Sequence, residues 1–390
     1  MLQLLYTQTR WGSFPEDFLF FNVRRLLNIV YSKQNKSKSA VLTLDAHKAF
    51  DQVDWEYMLL TIREFGLGES FSSWVEMLYA YPTASILTNS DRSHPFNLHR
   101  GVRQGCPLSP LLFALCIEPL AVSIRCNPKI IPIHLGKLDH YIALYADDVI
   151  LFLSQPEKSF PALLDQIKIF GKLSGYTINW QKCEFMPLSE DLDPNFLRNL
   201  PVRVTTHVKY LGTTIPKQFD QLYTLNYKAL IDKLKIDIEL WRTLPMSMIG
   251  RVNTIKMVTL PRFLYIFQNV PIFLSKHFFQ TLDSIIMPFI WGYKPHRISK
   301  KHLCKPKELG GLMLPLFQHY YWAANARALV YWQQAYPTEP SATTPSWLAI
   351  EQDITGTSLP ALLNTAKRSP GPFKGIGFIV EHSLKGVVPD

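Results

Sequence analysis

The 390-residue sequence is short of several things, and each shortage removes a class of explanation. It has five cysteines, Cys106, Cys116, Cys126, Cys183 and Cys304, and no two of them stand at the spacing of a zinc site. They read as reduced thiols of the core, which excludes a disulfide framework and points to an intracellular setting, cytoplasm or nucleus. The 28 prolines are scattered, so no segment reads as a low-complexity linker, and no repeat recurs at a fixed period. The longest apolar runs, such as Leu108 to Ile117, are short for a membrane crossing, and the N-terminus has no basic segment leading into an apolar one. Neither secretion nor membrane insertion is expected.

What is present is unevenly placed. At 47% hydrophobic, the chain can build two or three domains with real cores. Its net charge of +10 is local: residues 1–215 hold 21 Lys+Arg against 20 Asp+Glu, residues 216–335 hold 16 against 6, and residues 336–390 hold 4 against 5. A confined basic field suits a polyanionic partner and marks a boundary near Pro216.

The periodicity changes at the same place. Before it, helices are expected over Phe20 to Tyr31, from an Asp54 cap to Phe65, over Leu111 to Ile124 after the start signal Ser109-Pro110, and over Pro161 to Ser174. Strands are expected at Val41 to Leu44, Tyr176 to Trp180 and Cys183 to Met186. Tyr141 to Tyr145 and Val149 to Leu153 read as a hairpin with Asp147 and Asp148 at its tip. Beyond Pro216 the pattern is helical, most clearly at Leu222 to Trp241, Met248 to Leu260 and Lys276 to Trp291.

Three carboxylates, Asp45, Asp147 and Asp148, each close an apolar segment. Unpaired negative charge is costly there, and adjacent carboxylates repel unless a cation compensates. No Lys or Arg lies within six residues of Asp147. Oxygen donors without nearby nitrogen or sulfur favour Mg²⁺, then Mn²⁺, and two such ions would serve phosphoryl transfer. An Asp-Asp pair taken alone fits an ordinary β-turn equally well.

Ordered motifs narrow this. Thr43-Leu44-Asp45-Ala46-His47-Lys48-Ala49-Phe50-Asp51, Arg100-Gly101-Val102-Arg103-Gln104-Gly105-Cys106-Pro107-Leu108-Ser109-Pro110 and Tyr145-Ala146-Asp147-Asp148 resemble motifs A, B and C of reverse transcriptases. Ser174-Gly175-Tyr176-Thr177-Ile178-Asn179 with Lys182 resembles motif D, and Val208-Lys209-Tyr210-Leu211-Gly212 resembles motif E, the primer grip. The wording of the first two, with Ile290-Trp291-Gly292 and Lys305-Pro306-Lys307-Glu308-Leu309-Gly310-Gly311-Leu312, is similar to the non-LTR retrotransposon class of long interspersed elements. The resemblance covers residues 8–335.

It implies an α+β fold, a palm of antiparallel sheet with packed helices followed by a mostly helical thumb. The expected divisions are a fingers remnant at 1–44, the palm at 45–215, a basic thumb at 216–335, and a C-terminal segment at 336–390 that is disordered in part. The implied activity is RNA-directed DNA polymerisation, with an RNA template, a DNA primer, dNTPs and two Mg²⁺ as partners, and no zinc. Asp45, Asp147 and Asp148 are implied to be catalytic metal ligands. Phe50 is implied to be a steric gate occupying the space of a 2′-hydroxyl, with Gln104 and Gly105 under the nascent base pair and Lys182 at the pyrophosphate. Lys209, Tyr210 and Gly212 would grip the primer. Arg100 and Arg103, and from the stretch Tyr293 to Lys307 also Lys294, Arg297, Lys300, Lys301, Lys305 and Lys307, would meet nucleic-acid phosphates.

Members of this family carry basic fingers residues before motif A, and here 44 residues precede Asp45. The sequence therefore reads as truncated at its N-terminus, with nucleic-acid binding and very weak or undetectable polymerisation expected. The alternatives are a catalytically dead remnant that only binds nucleic acid, and a fragment unable to fold alone.

Overall fold

A computed structural model describes residues 17–32, 38–334, 345–356, 358–362 and 378–385. The described chain is a mixture of helix and sheet that divides into two compact units, one built from residues 1–19 and 34–208 and the other from 20–33 and 209–390.

The first unit is organised on strand β1, Ser39–Leu44. Three apolar residues in a row, Ala40 to Leu42, are fully buried there, as a strand covered on both faces requires. After β1 come the short helix α2 (Ala49–Gln52), then α3 (Trp55–Glu64) and α4 (Glu69–Tyr79). The predicted cap is observed: the Asp54 carboxylate accepts from Tyr57 N at 3.0 Å. Four two-residue strands follow, β2 (Thr83–Ala84), β3 (Leu87–Thr88), β4 (Asp91–Arg92) and β5 (Phe96–Asn97), pairing β2 with β5 and β3 with β4. Helix α5, Ser109–Cys126, begins at the predicted Ser-Pro signal and runs two residues past the expected end.

Beyond the small β6–β7 hairpin (Ile133–Leu135, Leu138–His140) lie β8 (Ile142–Tyr145), β9 (Asp148–Ser154), α6 (Pro156–Ser174), β10 (Glu184–Pro187), α7 (Pro194–Arg198) and β11 (Arg203–Val204). The main sheet has the order β11-β10-β1-β9-β8, with β1 antiparallel to both of its neighbours. One core joins Leu42, Leu44 and Leu151 of the sheet to Met58 and Ile62 of α3, Leu112, Phe113 and Leu120 of α5, and Leu163 and Phe170 of α6.

Four expectations need correction. Helix α6 starts at Pro156, not Pro161, because Gln155 already takes the left-handed turn that precedes it and Pro156 fills the first position. Tyr176 to Trp180 is not a strand: Ile178 alone bridges to Ala46, and the backbone around it bonds to the β1 exit instead. Only Cys116 and Cys183 are core thiols, since Cys106 and Cys304 are half-buried and Cys126 is exposed, although all five are free. Finally, Ser109–Cys126 is long and apolar enough to cross a membrane, contrary to the reading of its run; here it is the core helix of the first unit.

The second unit opens with α1, Asp17–Tyr31, whose residues from Phe20 onward belong to it. The hairpin of β12 (His207–Tyr210) and β13 (Thr213–Pro216) leads into a helical region. Two of its expected helices are real, over 221–242 and 248–269, but each contains a π-helical turn, Thr224–Lys228 and Ile255–Thr259. The expected helix Lys276–Trp291 is found at those bounds. Tyr227, fully buried, donates to Val270 O at 2.6 Å inside an aromatic core with Phe267, Phe278 and Tyr321.

A second cluster joins Phe20 of α1 to Trp332, Trp347, Leu348, Val380 and Leu384. Its centre is an ion pair with both partners buried, Arg24 Nε to Glu351 Oε1 at 2.7 Å. Glu351 also accepts from Asn28 and from Trp332 Nε1, at 3.0 and 2.8 Å. Of the expected C-terminal segment, 346–355 and 378–385 are helical, while much of 336–390, like residues 1–16 of the expected fingers remnant, lies outside the described residues.

Candidate active site

Two strands and a turn bring the three aspartates to one edge of the main sheet. β8 and β9 pair Tyr145 with Asp148, so Ala146 and Asp147 form a two-residue turn. Ala146 takes φ of +50°, a left-handed conformation rare for a residue with a Cβ, which suits the tight hairpin. On the other side β1 pairs Leu44 with Val149, and one step along that register sets Asp45 beside Asp148. Neighbouring residues of an antiparallel ladder share a face, which directs these two carboxylates the same way.

Asp147 and Asp148 are exposed and Asp45 is half-buried, so water screens part of their repulsion. The remainder is visible at Asp148. Partial burial first, then the charges of Asp147 and Asp45, push its carboxyl above the usual carboxylate range. Among the described residues Lys182 forms an ion pair here, its Nζ 3.8 Å from Asp45 Oδ2, with the lysine largely in solvent and the aspartate half-exposed.

Lys182 arrives there through a loop laced to the end of β1. His47 N donates to Thr177 O at 2.8 Å, Asn179 N to Asp45 O at 2.8 Å, and Asp45 N to Cys183 Sγ at 3.4 Å. Tyr176 is buried in the same loop, and its hydroxyl has no hydrogen-bond partner among the described residues. Burial, then Cys183, Asp147 and Asp45, hold that phenol protonated well above its ordinary range.

The segment after Asp45 is clamped by the Arg100–Cys106 stretch. Val102 N donates to Phe50 O at 2.7 Å, Gly101 N to Val53 O at 2.8 Å, and Trp55 Nε1 to Gly101 O at 2.8 Å. Side chains add to the seam: Arg100 Nη1 donates to Gln52 Oε1 at 2.8 Å, and Gln104 Nε2 to Asp51 Oδ1 at 3.1 Å. Glycine is required where this backbone comes closest. At Gly101, with φ of +90°, a Cβ would stand 2.8 Å from Asp51 O, and at Gly175, with φ of +76°, 2.6 Å from Gln52 O. Gly105 differs: its φ is +83° but a Cβ would meet nothing within 4 Å, so that face opens to solvent.

The predicted residues thus separate. Asp45, Phe50, Gln104, Lys182, Asp147 and Asp148 all lie in the first unit, on segments bonded or paired to one another, as do the exposed Arg100 and Arg103. Lys209, Tyr210 and Gly212 lie in the second unit, at a hairpin whose turn residues Leu211 and Gly212 both have positive φ. Tyr210 is buried, so that hairpin presents the exposed Lys209 and the Gly212 backbone instead. Lys300 is bonded to Asp283, while Lys294, Arg297, Lys301, Lys305 and Lys307 are exposed. Sequence reading missed Asp51, Tyr176 and Phe113, on which the Phe50 ring is stacked; each looks locally like a turn or core residue.

Among the described residues no three of His, Cys, Asp and Glu converge tightly enough to hold a metal on protein atoms alone. That does not disqualify the aspartates for Mg²⁺, which keeps several waters and takes one or two carboxylates together with substrate phosphates. Three mutually repelling carboxylates, with one ammonium paired to them among the described residues, fit such an ion.

Residues 12–215 match the reverse transcriptase (RNA-dependent DNA polymerase) family. The chain belongs to that family. Its relatives place this reverse transcriptase in the non-LTR retrotransposon class. The uncharacterized 149 kDa protein of transposon TX1 from Xenopus laevis is 27% identical over 303 residues, covering 76% of this chain. The retrovirus-related Pol polyprotein of the type-2 retrotransposable element R2DM from Drosophila melanogaster is 32% identical over 143 residues, 37% of the chain. The reverse transcriptase chain spans 23% and 13% of those two proteins. A telomerase structure from Candida albicans aligns over 94% of this chain and 58% of its own with a TM-score of 0.40 at 12% identity, too distant to add to the fold.

Proposed function

We propose that this chain carries a polymerising centre that extends a DNA primer with dNTPs on an RNA template. In this reading the first unit is the palm and the helical second unit the thumb. The observation that supports it best is the convergence of Asp45, Asp147 and Asp148 on one sheet edge, with charge that the protein leaves almost uncompensated. A bound pair of divalent cations, Mg²⁺ by the donor chemistry, would activate the primer hydroxyl and stabilise the leaving pyrophosphate.

The chain's own residues would do the rest. Asp45 and Asp147 would hold the ions, and Asp148 would support the one at the primer end. Phe50 excludes a 2′-hydroxyl from the sugar site. Gln104, fixed by Asp51, and the open face of Gly105 lie beneath the nascent base pair. Lys182, 3.8 Å from Asp45, would hold the charge of the pyrophosphate. Arg100 and Arg103 meet template or nucleotide phosphates. Lys209 and the Gly212 backbone meet the primer strand, and Lys294, Arg297, Lys301, Lys305 and Lys307 supply the electrostatic hold on the duplex, with Lys300 a lesser contributor.

Primer extension on a poly(rA) template by the purified chain, with Asp147→Ala as control, tests this. Extension that needs Asp147 and a divalent cation is expected. Extension by the variant would sink the site assignment, and primer–template binding without extension by the unaltered chain would favour the remnant reading.

A further inference from the structure

The gate proposed at Phe50 depends on its neighbours for its position. Its side chain is only half-buried and stands on α2, a helix of one turn entered through Lys48 in a left-handed conformation. A ring on so short an element swings unless something else fixes it. The backbone is fixed by Val102 N, which donates to Phe50 O at 2.7 Å, but that bond leaves the side-chain torsions free.

The ring is fixed from another element. Phe113 lies flat against it, with centroids 4.4 Å apart and planes 22° apart. This is the offset-stack range, in which two rings attract beyond the area they bury. Phe113 itself is 2% exposed on the second turn of α5, where Leu112, Ile117 and Leu120 are also buried. A wall with so little freedom can transmit its position to Phe50, whereas Phe50 cannot move it. Phe113 also lines a small cavity with Ala49, Val53, Cys116, Phe170 and Tyr176, so a smaller or softer side chain at 113 adds to free space next to the stack and gives the gate room to move.

We infer that Phe113 is the positioning residue for sugar selection: stacked on Phe50, it sets how far the gate ring stands into the sugar site. The inference rests on the reading of Phe50 as the gate. Phe113 touches neither nucleotide nor metal in this scheme and acts only through the Phe50 ring. It therefore governs the ratio of deoxyribonucleotide to ribonucleotide affinity, not the affinity for the triphosphate.

The test reads binding and so does not depend on turnover. A complex of the full chain with poly(rA) and a 3′-dideoxy primer is titrated with dTTP and with UTP, and the ratio of the two dissociation constants is compared among variants. Phe50→Ala is expected to collapse the ratio. Phe113→Leu is expected to lower it by a factor of about 2 to 10, the size of an aromatic stack, largely by tightening UTP. In the Phe50→Ala background, Phe113→Leu should change nothing further. General loosening of the fold would weaken both nucleotides together and leave the ratio alone. Phe113→Met, close to Phe in volume, serves if the leucine variant does not fold and should also lower the ratio.

If Phe50→Ala collapses the ratio while both Phe113 variants keep it, the positioning role is overturned and the gate survives. If Phe50→Ala leaves the ratio unchanged, or the unaltered chain does not distinguish dTTP from UTP, the gate reading and this inference fall together. A further drop from Phe113→Leu on top of Phe50→Ala overturns the claim that Phe113 acts through the ring.

Discussion

Two carboxylate sites in this molecule show how charge is handled for opposite ends. Glu351, in the second unit, is fully buried, and Arg24, Asn28 and Trp332 supply four donated hydrogen bonds to its two oxygens. The guanidinium of Arg24 lies in turn over Trp347, 4.9 Å from a ring centroid, and donates to Ser383 at 3.1 Å. In the first unit, among the described residues, Asp45, Asp147 and Asp148 have one ammonium paired to them, 3.8 Å from Asp45. A carboxylate whose every partner is internal is a fastener, and its gain over an apolar replacement is small because desolvation offsets attraction. A group of carboxylates left unbalanced at a surface costs stability and is poised to take a cation from outside.

That contrast can be broken at several points. The largest effect is expected from Asp147→Asn, which removes a charge of proposed metal ligation. It should lower primer extension by on the order of 10³-fold while leaving the melting temperature and template binding nearly unchanged. Glu351→Ala should do the reverse. It strands a buried guanidinium and so should cost about 3–5 kcal/mol, read as a lower midpoint in urea, and if the midpoint does not move the two sites are not different in kind.

The third test concerns Asp148, whose raised pKa fixes a sign. Because the folded chain holds that proton more firmly than the unfolded chain does, ionisation at neutral pH works against the fold. Asp148→Asn should therefore raise the melting temperature slightly at neutral pH without divalent cations. The gain should shrink as pH falls through the raised folded value and vanish below the unfolded one, near ~4. Saturating Mg²⁺ should raise the melting temperature of the unaltered chain, and the same rise in Asp147→Asn would count against cation binding at this edge. The smallest effect sharpens the comparison among lysines. Lys301→Ala should reduce the salt slope of template binding by about 0.7–0.9, and Lys300→Ala by less, since Asp283 already neutralises it.

Local chemistry made much of the first unit legible. A cap such as Asp54, a Ser-Pro start such as Ser109-Pro110, and apolar runs flanking Asp147-Asp148 each declare themselves within a few residues. The convergence of the three aspartates proposed as the catalytic group was legible for the same reason, as a carboxylate at a strand end is conspicuous against the apolar run it closes. What stayed hidden depends on distant partners. Two prolines five apart, Pro156 and Pro161, both satisfy the helix-start rule, and only the left-handed turn at Gln155 decides between them. Tyr176 to Trp180 has strand composition, but its backbone bonds are taken by the β1 exit at Asp45 and His47. The bond between Arg24 and Glu351 joins residues 327 apart, and nothing near Arg24 distinguishes it from the exposed face of a helix. Phe113 reads as one more apolar residue on an apolar helix until its ring is seen against Phe50.

Gly101 and Gly175 each press backbone against the two residues that follow the proposed gate, at Asp51 and Gln52. Neither carries a functional group, yet a single methyl at either would push the turn that carries Phe50. If the chain polymerises as proposed, a substitution at either glycine would silence it while every aspartate remains intact, so intact carboxylates alone would not mark a working copy of this sequence.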